Sequence, residues 1–237
     1  MKIVVLGDIH GNLPALEACF EQAEQEGYDW MVHTGDVVGY GPFPTECVQF
    51  VHQRNIAGVR GNFDDGVGAG IDLGGADDED PVERSIAEAS FRWTRARVDL
   101  WTRRWLSDLP FDVRHHAGRM DVAVYHASPV DIVSRLIEDM PESSWREYGK
   151  AAGAGIVALG HTHRPFHVKA GGRHFVNAGS VGRPRDGNPR TGYAVIESEG
   201  EVSVTFRRFP YDIESTVRAI EARGLPVEIG QRLQQGM

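Results

Sequence analysis

The chain has 237 residues, a formal net charge of −9 and two cysteines. That length suits one large domain or two small ones with an ample core. The acidic balance argues against a broad electrostatic footprint for nucleic acid, though not against a local basic patch. Cys19 and Cys47 lack CxxC spacing and read as two reduced core thiols, which fits the cytoplasm. No apolar run is long enough to span a membrane, and the N-terminus enters a strand without a signal-peptide pattern.

The run Ile3-Val4-Val5-Leu6-Gly7 is apolar and β-branched, as in a strand buried on both faces. It stops at Asp8-Ile9-His10-Gly11-Asn12, which is turn chemistry. Leu13 to Glu26 predicts a helix, with Asn12 as cap, Pro14 in the first turn and Gly27 as its end. Trp30 to Thr34 predicts a second strand ending at Gly35-Asp36. Strand–helix–strand of this length implies a parallel βαβ unit. Functional groups collect at the carboxyl ends of such strands, where Asp8, His10 and Asp36 would all lie.

Val37 to Pro44 is a Gly/Pro-rich loop holding Tyr40, either a plain connection or one wall of a substrate cleft. Thr45 to Asn55 predicts a helix with Cys47, Val48 and Val51 inward, and Ile56 to Arg60 a short strand ending at Gly61-Asn62-Phe63-Asp64. Asp65 to Pro81 is rich in Gly and Asp and reads as a solvated loop, with the acidic run Asp77-Asp78-Glu79-Asp80. Val82 to Leu106 predicts a long helical stretch whose aromatics pack a cap on the core. Asp121 to Tyr125 is a strand followed directly by His126, and Val130 to Ala152 is mostly helical with a break near Pro141. Gly155 to Leu159 is a buried strand ending at Gly160-His161-Thr162-His163. Beyond it, His167 to Val176, Tyr193 to Glu197 and Val202 to Arg208 predict short strands of a second sheet, antiparallel in part. Ile213 to Arg223 predicts an amphipathic helix, with Val217 and Ile220 inward, stopped by Gly224 and Pro226.

Five strand ends thus carry Asp8 and His10, Asp36, Asn62, His126, and His161 with His163. Each is unremarkable alone; together they send oxygen and imidazole groups to one edge of a layered core. Asp, His and Asn without Cys suit Mn²⁺, Fe or Zn²⁺ better than Ca²⁺ or a structural zinc. Two Asp and four His exceed one ordinary site, so two metals are expected, and a carboxylate can bridge them. Two ions roughly 3.5–4 Å apart polarise a phosphoryl group, activate water and stabilise a leaving oxygen.

Asp8-x-His10, Gly35-Asp36, Gly61-Asn62-x-Asp64, His126 and Gly160-His161-x-His163 resemble, in order and spacing, the motifs of the calcineurin-like metallophosphoesterases. The segment Asn177-Ala178-Gly179-Ser180-Val181-Gly182-x-Pro184-Arg185-Asp186-Gly187 resembles their small bacterial and archaeal phosphodiesterase-like branch. The resemblance implies an α/β fold, a four-layer αββα sandwich with two facing mixed β-sheets. It implies a single metallophosphoesterase domain over 1–237, with a helical cap-like insertion around 65–110. It implies that Asp8, His10, Asp36 and His163 bind one metal and Asp36, Asn62, His126 and His161 the other, with Asp36 bridging. It further implies in-line attack by a bridging hydroxide, with Asn62 also touching a phosphate oxygen. The expected cofactors are two divalent transition metal ions, Mn first, with Fe, Ni or Zn as alternatives.

Many members have a histidine after the Asn of the third motif, acting as acid for the leaving group; here that position is Phe63, which cannot donate a proton. The phosphodiesterase-like branch often lacks this histidine too. Its loss favours substrates with good leaving groups and gives Asp64 a structural role; His33, His115 and His116 are the candidates to replace it. Phe63 could alternatively offer an apolar face to a base or aryl group. Arg183, Arg185 and Arg190 follow the last metal motif; Arg185 is the leading candidate for a phosphate contact, with Tyr40 as a second substrate-side residue. The expected activity is a metal-dependent phosphodiesterase acting on a small phosphoester, with nucleotide-derived esters among the candidates. The alternatives are a phosphomonoesterase (a protein or nucleotide phosphatase) and a non-catalytic scaffold. A membrane partner is not expected, no strong nucleic-acid signature is present, and a homo-oligomer is left open.

Overall fold

The layering starts from strand β1 (Lys2–Leu6). Its side chains alternate between two buried faces, Ile3 and Val5 on one and Val4 and Leu6 on the other, as the two-residue strand period requires. The computed structural model describes residues 1–74, 80–117 and 120–237. After β1 come α1 (Leu13–Glu26), β2 (Trp30–His33), α2 (Pro44–Gln53), β3 (Ala57–Gly58), α3 (Asn62–Ala69), α4 (Pro81–Arg97) and α5 (Leu100–Asp108). Then follow β4 (Asp112–Ala117), β5 (Met120–Tyr125), α6 (Glu142–Ala152), β6 (Ile156–Leu159), β7 (Phe166–Ala170) and β8 (Arg173–Asn177). The chain closes with β9 (Thr191–Glu197), β10 (Ser203–Phe209), α7 (Ile213–Ala222) and α8 (Val227–Gln235).

Two five-stranded mixed sheets result, ordered β10-β9-β1-β2-β3 and β4-β5-β6-β8-β7. In the first, β1, β2 and β3 are parallel and β9 and β10 antiparallel. In the second, β5, β6 and β8 are parallel, with β4 and β7 antiparallel at the edges. Ile3, Val5, Val32, Ala194 and Ile196 meet Val122, Val124, Ile156, Ala158 and Val176 between the sheets. The outer face of the first sheet packs under α1, α2, α4 and α7, and that of the second under Trp145 of α6. This is the four-layer αββα sandwich, with the carboxyl ends of the parallel strands of both sheets along one edge.

Several elements differ from the sequence expectation. The C-terminal strands do not make one second sheet: β7 and β8 extend the second sheet, while β9 returns to pair with β1 and β10 adds to β9 at the edge of the first. The glycine-rich loop expected from Asp65 begins as helix α3, because Gly66 and Gly68 let it approach its neighbours. A Cβ at Gly66 would lie 2.8 Å from the Phe91 ring, and one at Gly68 2.8 Å from the Ser107 nitrogen. Asp77, Asp78 and Glu79 of the acidic run lie outside the described residues. The long helix breaks at Val98, after which Asp99 caps α5 by accepting from the Thr102 N–H at 2.7 Å. The expected helix from Val130 starts only at Glu142. Ser128 and Asp131 bind nearby backbone groups, Asp131 accepting from the N–H groups of Val133 and Ser134, and so compete with helix formation. Helix α8 and edge strand β4 had not been expected. Among the described residues no helix is long and apolar enough to cross a membrane.

Candidate metal centre

Seven side chains converge on the shared sheet edge. Asp8 and His10 follow β1, Asp36 follows β2, Asn62 opens α3, His126 follows β5, and His161 and His163 follow β6. Asp8, His10 and His163 each present one donor atom within 4.8 Å of the others, and so do Asp8, Asp36 and His126. The Asp36 Oδ2 lies between the groups, 3.8 Å from His10 Nε2 and 3.6 Å from His126 Nε2. On the second side, His126 Nε2 is 3.0 Å from Asn62 Oδ1 and 3.1 Å from His161 Nδ1.

Backbone carbonyls fix which imidazole nitrogens face inward. His10 Nδ1 donates to the Val38 carbonyl at 3.0 Å, His126 Nδ1 to Thr34 at 2.8 Å, and His161 Nε2 to Val133 at 3.1 Å. A carbonyl only accepts, so each ring carries its proton outward and turns a lone pair into the site. Asn62 Nδ2 likewise donates to the Gly74 carbonyl at 2.8 Å, leaving its oxygen inward. His10 Nε2 and His163 Nε2 stand 2.9 Å apart. The inward nitrogens of His10, His126 and His161 and the Asn62 oxygen are thus acceptors grouped with two carboxyls; a cation fits them, and this donor set suits a divalent transition metal.

Electrostatics agree with that fit. Burial and the neighbouring Asp36 hold the Asp8 carboxyl well above the usual range, and burial pushes Asp36 up to about 8. Burial lowers the imidazoles, His126 to about 4 and His161 to about 3, with His10 and His163 also well below normal. Without a positive ion the site favours neutral forms throughout; a bound divalent ion reverses this for the carboxylates. The helix α3 N-terminus supports Asp36, whose Oδ1 accepts from the Phe63 N–H at 2.8 Å. Asp64 is structural: its carboxylate accepts from the N–H groups of Gly61 and Val38, both at 3.2 Å.

The backbone is strained here and little elsewhere. Among the described residues, five of the six non-glycine positions with positive φ are His10 (48°), Asp36 (47°), Tyr40 (51°), His161 (66°) and His163 (59°). Each such residue costs about 1–3 kcal/mol, and such strain gathers where function requires it.

A narrow cavity of about 50 Å³ opens onto these residues, bordered by Tyr40, Phe63, Glu83, Arg135, Arg183 and Arg185. Phe63 is 4% exposed, its ring 4.9 Å from Tyr40 and 5.3 Å from His10. It is core packing more than an open platform for a base. Of the proposed substitutes for the missing histidine, none borders the cavity. His115 stacks on Trp30, His116 pairs with Asp121 on the exposed side of β4, and the His33 ring fills the space beside Gly58. Arg190 is exposed and apart from the cavity. Sequence reasoning ranked Arg183 below Arg185 and passed over Glu83 and Arg135. Glu83 sits in a helix of mixed charge and Arg135 in a segment read as helical, so neither carried a signal.

This edge-built cluster on a two-sheet sandwich places the chain in the calcineurin-like phosphoesterase superfamily, whose domain model matches residues 1–201. The chain belongs to that family and is a metal-dependent phosphoesterase. It is similar to the phosphodiesterase YfcE of Escherichia coli, 35% identical over 209 residues, covering 84% of this chain and 89% of that protein. An uncharacterized protein of Methanocaldococcus jannaschii is 29% identical over 98% of this chain and 96% of its own length. The crystal structure of a metallophosphoesterase from Sphaerobacter thermophilus superposes with a TM-score of 0.81 at 30% identity, covering 100% of this chain and 99% of that one.

Proposed function

We propose that the protein is a two-metal phosphodiesterase acting on small phosphoesters. Asp8, His10, Asp36 and His163 would hold one ion, and Asp36, Asn62, His126 and His161 the other, with Asp36 shared. The observation that carries this is the fixed direction of the imidazole lone pairs, set by the carbonyls of Val38, Thr34 and Val133. Mn²⁺ is the favoured ion, with Fe, Ni or Zn as alternatives, given a donor set of nitrogen and carboxylate without thiolate. When bound, such ions supply Lewis acidity and a nucleophilic water at neutral pH. The chain's own residues hold the geometry: Asp36 spans both halves, and Asn62 presents its oxygen while the Gly74 carbonyl holds its amide.

Preference for diesters over alkyl monoesters rests on Phe63, which offers no proton to a leaving oxygen, and on the absence of a substitute histidine around the cavity. The similarity to YfcE supports the same reading. Helices α4 and α5 serve as a cap-like insertion within a single domain, since Glu83 and Ala87 of α4 border the cavity. A cytoplasmic setting is supported by the two buried, unpaired thiols of Cys19 and Cys47.

The test is metal-dependent turnover. Chelator-stripped protein is restored with Mn²⁺, Fe²⁺, Ni²⁺, Zn²⁺ or Mg²⁺ singly and assayed on bis-p-nitrophenyl phosphate and p-nitrophenyl phosphate. Diester hydrolysis that returns with a transition metal and vanishes in Asp36→Asn is the expected result. Preference for the monoester, or no turnover with two ions bound, overturns the reading.

A further inference from the structure

We infer that Arg183, ranked below Arg185 on sequence, is the phosphate-binding guanidinium of this centre. The inference rests on the phosphoesterase reading of the same site and names the group that would take the substrate's charge. Arg183 is 1% exposed and borders the cavity with His10, Asp36, Asn62, His161 and His163. Its Nη2 donates to Glu83 Oε2 at 2.6 Å, and its guanidinium carbon stands 4.3 Å from the Tyr40 ring centroid. Its Nε and Nη1 are buried with no hydrogen-bond partner among the described residues.

A purely structural buried arginine would spend its N–H groups on the protein, because desolvating a charge is expensive unless it is fully hydrogen-bonded. Idle donors on a cation beside a metal centre fit an anion bound between them. Phosphate is the anion this fold handles, and guanidinium is well matched to it.

The surroundings hold Arg183 in place. Its backbone N–H donates to Ser180 Oγ at 2.8 Å, and the Ser180 hydroxyl donates to the Asp8 carbonyl at 2.7 Å. The Gly182 N–H donates to that same carbonyl at 3.0 Å. The loop carrying the guanidinium is therefore stitched to the strand end that carries Asp8. Such pre-organisation keeps a binding group at its working distance without ordering costs on binding. Glu83, which also pairs with Arg185 and Arg232, acts as a positioning residue behind it.

The probe is inorganic phosphate, titrated calorimetrically into Mn²⁺-loaded wild type, Arg183→Gln and Arg183→Lys, with metal content measured on each. Losing charged hydrogen bonds should weaken phosphate about tenfold to a hundredfold in Arg183→Gln, at unchanged metal stoichiometry. Arg183→Lys, which keeps the charge but lacks the Nε–H, should fall between. For bis-p-nitrophenyl phosphate, KM should rise in both. Phosphate affinity equal to wild type in Arg183→Gln overturns the inference; if that variant does not fold, equal affinity in Arg183→Lys does so. Failure of wild type to bind phosphate overturns it too. Arg183-dependent phosphate binding without ester cleavage would instead sink the phosphodiesterase reading and leave this inference standing.

Discussion

Gly160→Ala should cripple metal binding without removing any candidate ligand. An added Cβ at Gly160 would stand 2.4 Å from Asp8 Oδ2 and 2.3 Å from Thr34 Oγ1, where real Cβ contacts stay at or beyond about 3.0 Å. The backbone has little room to retreat, since the Gly160 N–H donates to the His126 carbonyl at 2.8 Å and its carbonyl accepts from Asn177 Nδ2 at 2.6 Å. The Asp8 carboxylate must therefore shift by more than about half an ångström, straining the bonds it accepts from the His161 N–H at 3.0 and 3.1 Å. Overpacking of this kind costs about 1–3 kcal/mol. At about 2–4 °C per kcal/mol for a chain of this size, Tm should fall by roughly 2–12 °C. Disturbing the support of a ligand typically lowers metal affinity by about 10–100-fold. Calorimetric titration of Mn²⁺ into stripped wild type and variant reads the affinity, and differential scanning calorimetry reads the Tm. A variant that binds Mn²⁺ within about twofold of wild type would refute the placement of Asp8 at the metal.

Glu83 gives a pH prediction. Burial opposes its ionisation, but Arg183, Arg185 and Arg232 outweigh that and hold its carboxyl below the ordinary 4.5. Its folded pKa is depressed, so its contribution is complete above the unfolded value and is lost as pH falls through the folded one. Stability measured by urea unfolding should drop below about pH 4.5, and Glu83→Gln should flatten that acid slope; an unchanged slope would refute the assignment. Phe63→His should restore a proton donor beside the cavity. Turnover of an alkyl phosphodiester should rise by up to about 10²–10⁴-fold, with little change for nitrophenyl esters. No gain with the alkyl substrate would show that acid loss does not limit this enzyme.

Much of the candidate site was legible because its geometry is local to strand ends. A buried strand that stops at Asp, Asn or His can only present that residue at its end, and parallel βαβ units turn every such end the same way. That reasoning alone names Asp8 and His10, Asp36, Asn62, His126, and His161 with His163 as the candidates. Phe63 was legible as a departure, while its burial against His10 and Tyr40 was not.

What the chain order could not carry was decided by long-range packing. The partner of β9 is β1, nearly the whole chain away, and period-2 alternation says nothing about which sheet a strand joins. Edge strand β4, Asp112-Val113-Arg114-His115-His116-Ala117, is too polar to show a clear alternation, and its pairing with β5 supplies what its pattern lacks. Gly66 and Gly68 read as loop until helices α4 and α5 come close enough to require them. In sequence, Arg183 ranks below Arg185 as a phosphate contact. Only the fold buries it beside the cavity, sets Glu83 from a distant helix and the Tyr40 ring against its guanidinium, and leaves its Nε and Nη1 without a partner among the described residues. The sequence determined which chemical groups stand at the strand ends, because that depends on neighbours in the chain. The tertiary structure decided which charges are desolvated together, because burial is a property of surfaces that meet only when the chain has folded.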